Sequence, residues 1–304
     1  MNVAELNTRF GAPGKIVFCD GFAGYPNVVI AGKYGVAKIA LLGCAVLSYR
    51  PTGHAEVIYR PSRGDLQYNR GDSFHGGIPV CWPQFGNRFS RDLPQHGFAR
   101  KMVFEVRSTE YTEELTEIVL GIRSDEETRK IWPHEFDLEC KISVSMKLNL
   151  ELKTKNTGLE PFDFSCGFHP YFLLRDRNSS YVKGLDGTVF FNGITGEGSL
   201  VNTGDFHIRG EVDHIFTLPD APRHDSAIID ESLGRAIAMV ASGCGKMVVW
   251  NPGEKVPADQ EAGDELKFVC VEPASEWPGG RTLNPGEEHV LMAAIQATLD
   301  ERKK

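Results

Sequence analysis

Alternation of apolar and polar side chains is the dominant pattern along this chain. It is clearest over residues 141–153, where the apolar side chains occupy every second position: Ile142, Val144, Met146, Leu148, Leu150 and Leu152. The positions between them are Lys, Ser, Asn or Glu. A period of two predicts a strand with one buried and one solvated face, as in an antiparallel sheet. The following Asn156-Thr157-Gly158 predicts a turn.

Shorter stretches with the same alternation predict further strands along the chain, at residues 15–19, 36–42, 56–60, 102–107, 115–122, 162–168, 236–240, 247–250, 267–272 and 289–298. Helical periodicity is scarce, and the 32 glycines and 17 prolines separate the strands. Many short strands with such turns predict a sandwich or a barrel. Since no linker and no fixed repeat interrupts the pattern, we expect an all-β fold with few short helices. Residues 1–304 then form a single large antiparallel β-sandwich domain.

Composition and charge limit the kinds of molecule that this protein is expected to bind. Hydrophobic residues make up 41% and charged residues 24%, which is typical of a folded globular protein. The net charge is −8, and no dense Lys/Arg cluster follows a phosphate backbone, so nucleic acid is not an expected partner. Residues 1–10 lack the apolar region of a signal peptide, and no apolar run is long enough to span a membrane. The seven scattered cysteines contain no C-x-x-C and predict reduced thiols. We therefore expect a cytoplasmic monomer that binds a small molecule.

Two segments are unusually dense in aromatic residues, glycine and polar groups. Residues 74–85 read FHGGIPVCWPQF, and residues 93–100 read LPQHGFAR. Such a mixture is typical of a lined ligand pocket. A connection rich in Gly and Pro and held by aromatic side chains explains the composition equally well, and the pattern does not choose between the two.

Familiar catalytic motifs are absent, which leaves a small set of titratable residues. The chain contains no G-x-S-x-G, no phosphate-binding P-loop and no pair of histidines at a tight metal-ligand spacing, so no metal site is expected. His96 lies within the second dense segment, His169 follows an apolar strand, and Glu272 ends the apolar run before Pro273. A carboxylate that closes a buried strand must be paired, hydrogen-bonded or shifted in pKa, and such groups serve acid–base chemistry. Taken singly, each residue also fits an ordinary structural or surface role.

The order of motifs between about residues 75 and 275 carries a more specific signal. GGIP, P-x-FG, LPQHGFAR, FHPYF, VDHIF and CVEP follow one another along the chain. This order resembles the aldose 1-epimerase (galactose mutarotase-like) superfamily, and more closely its glucose-6-phosphate 1-epimerase branch. The resemblance implies a large antiparallel β-sandwich, an isomerase activity, and neither a metal nor an organic cofactor.

The resemblance also implies roles for individual residues. His169 would be the general acid and Glu272 the general base that open and close the sugar ring. Other residues would hold sugar hydroxyls or the phosphate: Gln95, Arg100 and Asp213, with His96 beside the ring. The expected starting state has a protonated His169 and an ionised Glu272.

One position departs from the pattern of the phosphosugar branch. An Arg commonly precedes the Gly-Gly-Ile-Pro run in that branch, whereas His75 stands there in this chain. An imidazole is a poorer partner for phosphate than a bidentate guanidinium. Arg100 is retained, and Arg70 and Arg88 are candidate phosphate contacts, although each is also an ordinary loop charge. Glucose 6-phosphate is therefore the expected substrate, with unphosphorylated aldoses as the alternative.

Three other hypotheses remain open from the sequence. A sugar-binding β-sandwich without turnover would keep the cleft, although recognition alone does not need both His169 and Glu272. A glycosidase would use Glu272 and Asp213 as its paired carboxylates. A regulatory role, in which the fold joins a partner protein, is a third.

Overall fold

The computed structural model describes residues 1–21, 24–61, 75–276 and 280–299. Within these ranges helix α1 spans Val3–Phe10 and helix α2 spans Glu126–Ile131, each starting at a capping box. Short 3-10 helices lie at Ala99–Lys101, Arg177–Ser179 and Asp264–Leu266. The remaining regular structure is made of strands.

The strands follow one another in chain order as β1 Ile16–Asp20, β2 Pro26–Gly32, β3 Gly35–Ala40, β4 Ala45–Pro51, β5 Val80–Cys81, β6 Glu105–Tyr111, β7 Thr116–Arg123, β8 Phe136–Val144, β9 Leu148–Asn156, β10 Phe162–Phe164, β11 Cys166–Phe168, β12 Tyr171–Leu173, β13 Ser180–Lys183, β14 Val189–Asn192, β15 Leu200–Val201, β16 Phe206–His207, β17 Glu211–Thr217, β18 His224–Asp230, β19 Arg235–Ser242, β20 Lys246–Pro252, β21 Phe268–Ser275, β22 Arg281–Leu283 and β23 Glu288–Leu299.

Two large sheets dominate the described part of the chain. One has nine strands in the order β16-β13-β18-β19-β23-β9-β8-β7-β6. The other has eight strands, with β15-β14-β17-β20-β21-β11-β5 in order and β12 also paired with β21. Strands β1 to β4 form a separate sheet in chain order, and β10 pairs with β22. The pairs formed by these strands are antiparallel, as the alternation predicts.

The core lies between the sheets and decides which face of the eight-stranded sheet is free. Val249 of β20 and Val271 of β21 are paired, fully buried and part of one apolar cluster with Ile237 and Ile295 of the nine-stranded sheet. Because side chains alternate along a strand, the neighbours of Val249 and Val271 point to the opposite face. Glu272 is one of these neighbours, so the fold directs it away from the main core.

The antiparallel β-sandwich expected from the sequence is confirmed, but three of its details were wrong. Residues 141–153 form a hairpin of β8 and β9 rather than one strand, and Met146 lies in its turn with 64% exposure. The alternation simply continues across the turn. Residues 56–60 form no strand beyond a single bridge from Ile58 to Phe172. Residues 162–168 divide into β10 and β11, which pair with different strands.

Several other sequence expectations concern the whole chain. The seven cysteines are free, and six of them are buried. The apolar cluster runs from Leu6 to Ala297, which supports the prediction of a single domain over residues 1–304, still a prediction. Among the described residues, no helix is long and apolar enough to cross a membrane.

Candidate active site

A concave pocket opens on the face of the eight-stranded sheet that is turned away from the main core. Its volume is about 380 Å³, within the range for small-ligand sites. Strands β17, β20 and β21 form its floor, and both dense sequence segments contribute to its walls. Of the two interpretations of those segments, the pocket is therefore the one that the structure supports.

Strand register brings together carboxylates that are far apart in the sequence. Asp213 pairs with Trp250, and Glu272 pairs with Val248, which lies two residues before Trp250 on the intervening strand β20. Positions two apart on a strand share a face. Asp213, Val248, Trp250 and Glu272 consequently all line the pocket.

His169 and Glu272 face each other in this pocket. The Nε2 atom of His169 lies 3.4 Å from the Oε2 atom of Glu272, and their side chains are 12% and 1% exposed. The imidazole of His169 stacks on the ring of Tyr171, with 4.7 Å between the ring centroids. The backbone N–H of His169 donates to the carbonyl of Pro79. Among the described residues, neither carboxylate oxygen of Glu272 has a hydrogen-bond partner. A buried carboxylate without hydrogen bonds is costly, which is typical of a group held ready for a ligand.

Burial shifts both groups toward their neutral forms. Desolvation, followed by the charges of Asp213 and Glu276, raises the pKa of Glu272 well above its usual value. Desolvation, followed by His96, lowers the pKa of His169 well below its usual value. Burial by the protein alone therefore favours a proton on the carboxyl rather than on the imidazole. The ionised pair expected from the sequence holds the same number of protons and differs only in where one of them lies.

His96 stands beside His169 and has a defined tautomer. The two rings lie 5.3 Å apart in an edge-to-face arrangement. The Nδ1 atom of His96 accepts a hydrogen bond from the backbone N–H of Gly86, so the ring proton is on Nε2. Burial, then Arg100 and His75, lower the pKa of His96 to about 3. This imidazole is neutral near pH 7 and offers a hydrogen-bond donor to the pocket.

Arg100 provides a positive charge to the histidine side of the pocket. Its Nη2 atom donates to the backbone carbonyl of Gln95 at 3.0 Å, and its buried Nε atom has no hydrogen-bond partner in the described part of the chain. Gln95 is exposed at the rim and also lines the pocket. Gln95 and Arg100, like His96, thus lie where a ligand in the pocket would contact them.

His75 also lines the pocket, where a buried acid holds it. Its Nδ1 atom lies 2.8 Å from Oδ1 of Asp259, and its backbone N–H donates to Oδ2 of the same carboxylate. Asp259 is 4% exposed. Sequence reasoning missed Asp259, because 184 residues separate it from His75 and it lies in a loop without a recognisable motif.

The opposite side of the pocket is acidic. The Nη1 atom of Arg88 lies 3.8 Å from Oε1 of Glu276, and its guanidinium covers the ring of Phe191 at 4.5 Å. Desolvation raises the pKa of Asp213 and, more strongly, that of Glu276 to about 7, while Arg88 lowers both. Arg88 is thus already paired with the carboxylate of Glu276. Arg70, the other candidate phosphate contact, lies outside the described residues.

Glu276 and Cys270 are pocket-region residues that sequence reasoning passed over. Glu276 follows Glu272 by four residues and comes directly after the last residue of β21, and this even spacing was a usable signal. The ligand atoms of His169, Cys270 and Glu272 lie within 4.8 Å of one another. Desolvation raises the pKa of the Cys270 thiol well above its usual value, which disfavours the thiolate that a metal ion prefers.

Comparison with known proteins places this architecture in a family. The profile of the aldose 1-epimerase family matches residues 27–295. The chain belongs to the aldose 1-epimerase family. It is an isomerase of the mutarotase type, as the motif order predicts. A relative from Cenchrus ciliaris, provisionally named a glucose-6-phosphate 1-epimerase, is 31% identical over 90% of this chain and 85% of its own length.

Other proteins are similar to this epimerase family member in sequence or in structure. An Escherichia coli K12 protein with the same provisional name is 31% identical over 78% of this chain and 79% of its own. The crystal structure of a provisionally named mutarotase from Salmonella typhimurium superposes with a TM-score of 0.85 at 26% identity, covering 94% of each chain. A galactose mutarotase-like protein from Clostridium acetobutylicum shares the fold, with a TM-score of 0.74 at 17% identity, covering 93% of this chain and 98% of its own.

Proposed function

We propose that this epimerase interconverts the α and β anomers of glucose 6-phosphate or a closely related hexose 6-phosphate. The observation that carries the proposal is the buried His169–Glu272 pair at 3.4 Å, in a pocket that also contains Arg100. The relatives at 31% identity, provisionally named glucose-6-phosphate 1-epimerases, support the phosphorylated substrate.

The short distance between acid and base suits the chemistry of a hemiacetal. The anomeric hydroxyl and the ring oxygen are both bonded to C1, so the two groups that exchange protons with them must lie close together. Glu272 removes the proton of the C1 hydroxyl while His169 protonates the ring oxygen, and the C1–O5 bond breaks to give an aldehyde. Rotation about C1–C2 presents the other carbonyl face, and reversal of both transfers closes the ring.

Substrate binding has to move one proton within the pair before ring opening. The sugar's C1 hydroxyl donates a hydrogen bond to the unpartnered carboxylate oxygens, which stabilises the ionised form of Glu272. The proton then resides on His169, where it serves the ring oxygen. Neutral His96, with its proton on Nε2, donates to a sugar oxygen and keeps the ring in place.

We expect a bell-shaped dependence of kcat/KM on pH. Activity requires one proton shared by His169 and Glu272, so it falls at low pH when the pair takes up a second proton. It falls at high pH when the pair loses its last proton. Both limbs report apparent pKa values of the pair. Initial rates of anomer exchange between pH 4 and 10 (roughly the range where proteins stay folded) measure the curve, and a rate that rises without limit toward high pH contradicts the mechanism.

Glu276 titrates inside the same window, since its pKa is about 7. Glu276→Gln therefore serves as a control for that curve. A limb that survives in Glu276→Gln belongs to the His169–Glu272 pair, whereas a limb that disappears belongs to Glu276.

We expect Arg100→Gln to raise KM for glucose 6-phosphate by about 10- to 100-fold, because a charge-assisted hydrogen bond to phosphate is lost. The KM for unphosphorylated glucose changes less. Arg91→Gln removes the same charge from an exposed residue outside the pocket and is the matched control. Equal effects of Arg100→Gln on both sugars would place the phosphate elsewhere.

Exchange spectroscopy on anomer pairs tests the function itself. Glucose 6-phosphate, glucose and galactose are compared at one enzyme concentration, with the spontaneous rate subtracted. Acceleration of glucose 6-phosphate above the others is the expected result. Acceleration of the free sugars alone would move the proposal to unphosphorylated aldoses, and binding without exchange would support the non-catalytic sugar module.

Family membership favours an epimerase over the glycosidase hypothesis. A retaining or inverting glycosidase places two carboxyl groups about 5 to 10 Å apart across the bond to be cleaved. Asp213 and Glu272 both line this pocket, but Glu272 lies 3.4 Å from the imidazole of His169, and a close acid–base pair of this kind is what a hemiacetal needs.

A further inference from the structure

We propose that Asp259 is a positioning residue that fixes His75 as an anion-binding group for the phosphate of the sugar substrate. The inference rests on the proposed function, and it extends that function to a residue outside the catalytic pair. In this proposal the His75–Asp259 pair takes the role of the arginine that the motif resemblance leads one to expect before Gly-Gly-Ile-Pro.

The first argument is the number of contacts that hold His75. Asp259 receives both the backbone N–H and the ring Nδ1 of His75, each at 2.8 Å. Gln260 donates from its side chain to the backbone carbonyl of His75 at 3.3 Å. Two consecutive residues of a distant loop, Asp259 and Gln260, thus bind both the backbone and the ring of His75. These contacts fix the orientation of the imidazole, which a simple charge pair would not do.

The second argument is the tautomer that this contact imposes. A carboxylate accepts hydrogen bonds, so the Nδ1 atom of His75 carries a proton and Nε2 is the ring nitrogen left for the pocket. The side chain of His75 is 29% exposed, whereas that of Asp259 is 5% exposed. The acid is therefore buried behind the imidazole, and the imidazole faces the ligand.

The third argument concerns charge. Burial by itself raises the pKa of Asp259, but the hydrogen bonds from the ring and backbone of His75 outweigh it and lower the pKa. Asp259 is thus an anion that accepts the Nδ1 proton of His75 from behind the ring. On the pocket side, His75 interacts electrostatically with His96 and His169, and Arg100 acts on the same two histidines. Arg100 and these imidazoles therefore form one cluster of hydrogen-bond donors and positive charge that suits an anionic group of the ligand.

A phosphate monoester matches this cluster. Its dianion stabilises the imidazolium, and by linkage the imidazolium strengthens phosphate binding by the same factor. Arg100, a pocket residue on the same side, supplies a permanent cation, while Arg88 is occupied by Glu276 on the acidic side. The phosphate would then lie toward His75 and Arg100, and the sugar hydroxyls toward Asp213.

The test measures the ratio of kcat/KM for glucose 6-phosphate to kcat/KM for glucose. Asp259→Asn keeps the shape of the side chain and removes its charge, and we expect the ratio to fall by about tenfold, mostly through KM. Glu254→Gln, an exposed acid in the same loop, is the matched control. An unchanged ratio in Asp259→Asn, or an equal fall in Glu254→Gln, would overturn the inference.

A double variant separates charge from structure. An arginine needs no partner to remain charged. His75→Arg combined with Asp259→Asn should therefore restore the ratio. A ratio in the double variant as low as in Asp259→Asn alone would contradict the role of His75.

Nitrogen-15 spectroscopy of the histidines gives a readout that does not depend on activity. In the free wild-type protein His75 should show its proton on Nδ1. Glucose 6-phosphate should convert it to the doubly protonated form, glucose should not, and inorganic phosphate should do so at higher concentration. Protonation of His75 by inorganic phosphate without any anomer exchange would sink the proposed function and keep the anion site. Exchange activity without a change at His75 would do the reverse.

Discussion

Replacing Glu272 by Gln should lower the rate of anomer exchange by about 10²–10⁴ while leaving the protein folded and more thermostable. The amide retains the size of the side chain but has no basic oxygen for the C1 hydroxyl. His169→Asn should lose activity over the same range, because it removes the proton donor to the ring oxygen. Exchange spectroscopy at substrate saturation measures the rates of both variants. Near-wild-type rates in the two would contradict the assignment of Glu272 as base and His169 as acid.

The gain in stability follows from the direction of the pKa shift. Burial raises the pKa of Glu272 in the folded state, so the folded protein binds this proton more tightly than the unfolded chain does. As pH rises above the pKa that Glu272 has in the unfolded chain, ionisation of the carboxylate therefore destabilises the folded protein. The destabilisation reaches its full size above the pKa of Glu272 in the folded state. Glu272→Gln removes that cost, and we expect Tm at about pH 8 to rise by roughly 2–6 °C. A fall in Tm would mean that an ionised His169–Glu272 pair stabilises the fold.

Much of the fold was predictable, because the alternation of side chains is a local signal. The hairpin at β8 and β9 shows its limit, since the pattern cannot tell a continued strand from a turn that preserves the alternation. Met146 was assigned to the buried face for that reason and is exposed. The prediction was wrong about how the residues are divided between two connected strands, and right about the type of secondary structure.

The pocket itself depends on long-range register, which no local pattern contains. The motif order resembling the epimerase family singled out His169 and Glu272, but only the pairing of β17, β20 and β21 puts Asp213 on the same face. Asp259 lies in an irregular loop and contacts His75 across 184 residues. Such a contact is invisible to periodicity and spacing, so the departure at His75 could be noticed from the sequence but not explained.

Gly97 links the sequence motif LPQHGFAR to the geometry of the pocket. Its φ is +71°, and a Cβ atom there would lie 2.0 Å from the carbonyl oxygen of Trp82. That oxygen also accepts the backbone N–H groups of Phe98 and Ala99. Gly97→Ala must therefore push the segment carrying His96 away from Trp82, since the carbonyl belongs to a buried backbone that cannot yield.

Gly97→Ala should destabilise the protein by about 3–5 kcal/mol and lower Tm by roughly 6–12 °C. The soluble fraction should also lose most of its exchange activity, because His96 and Arg100 move with the segment. Gly187→Ala is the matched control, since Gly187 has the same φ of +71° but no described atom lies within 4 Å of the added Cβ. It should cost only about 1 kcal/mol, the price of the left-handed backbone alone. Equal losses in the two variants would show that φ, and not the contact with Trp82, makes glycine necessary in the motif.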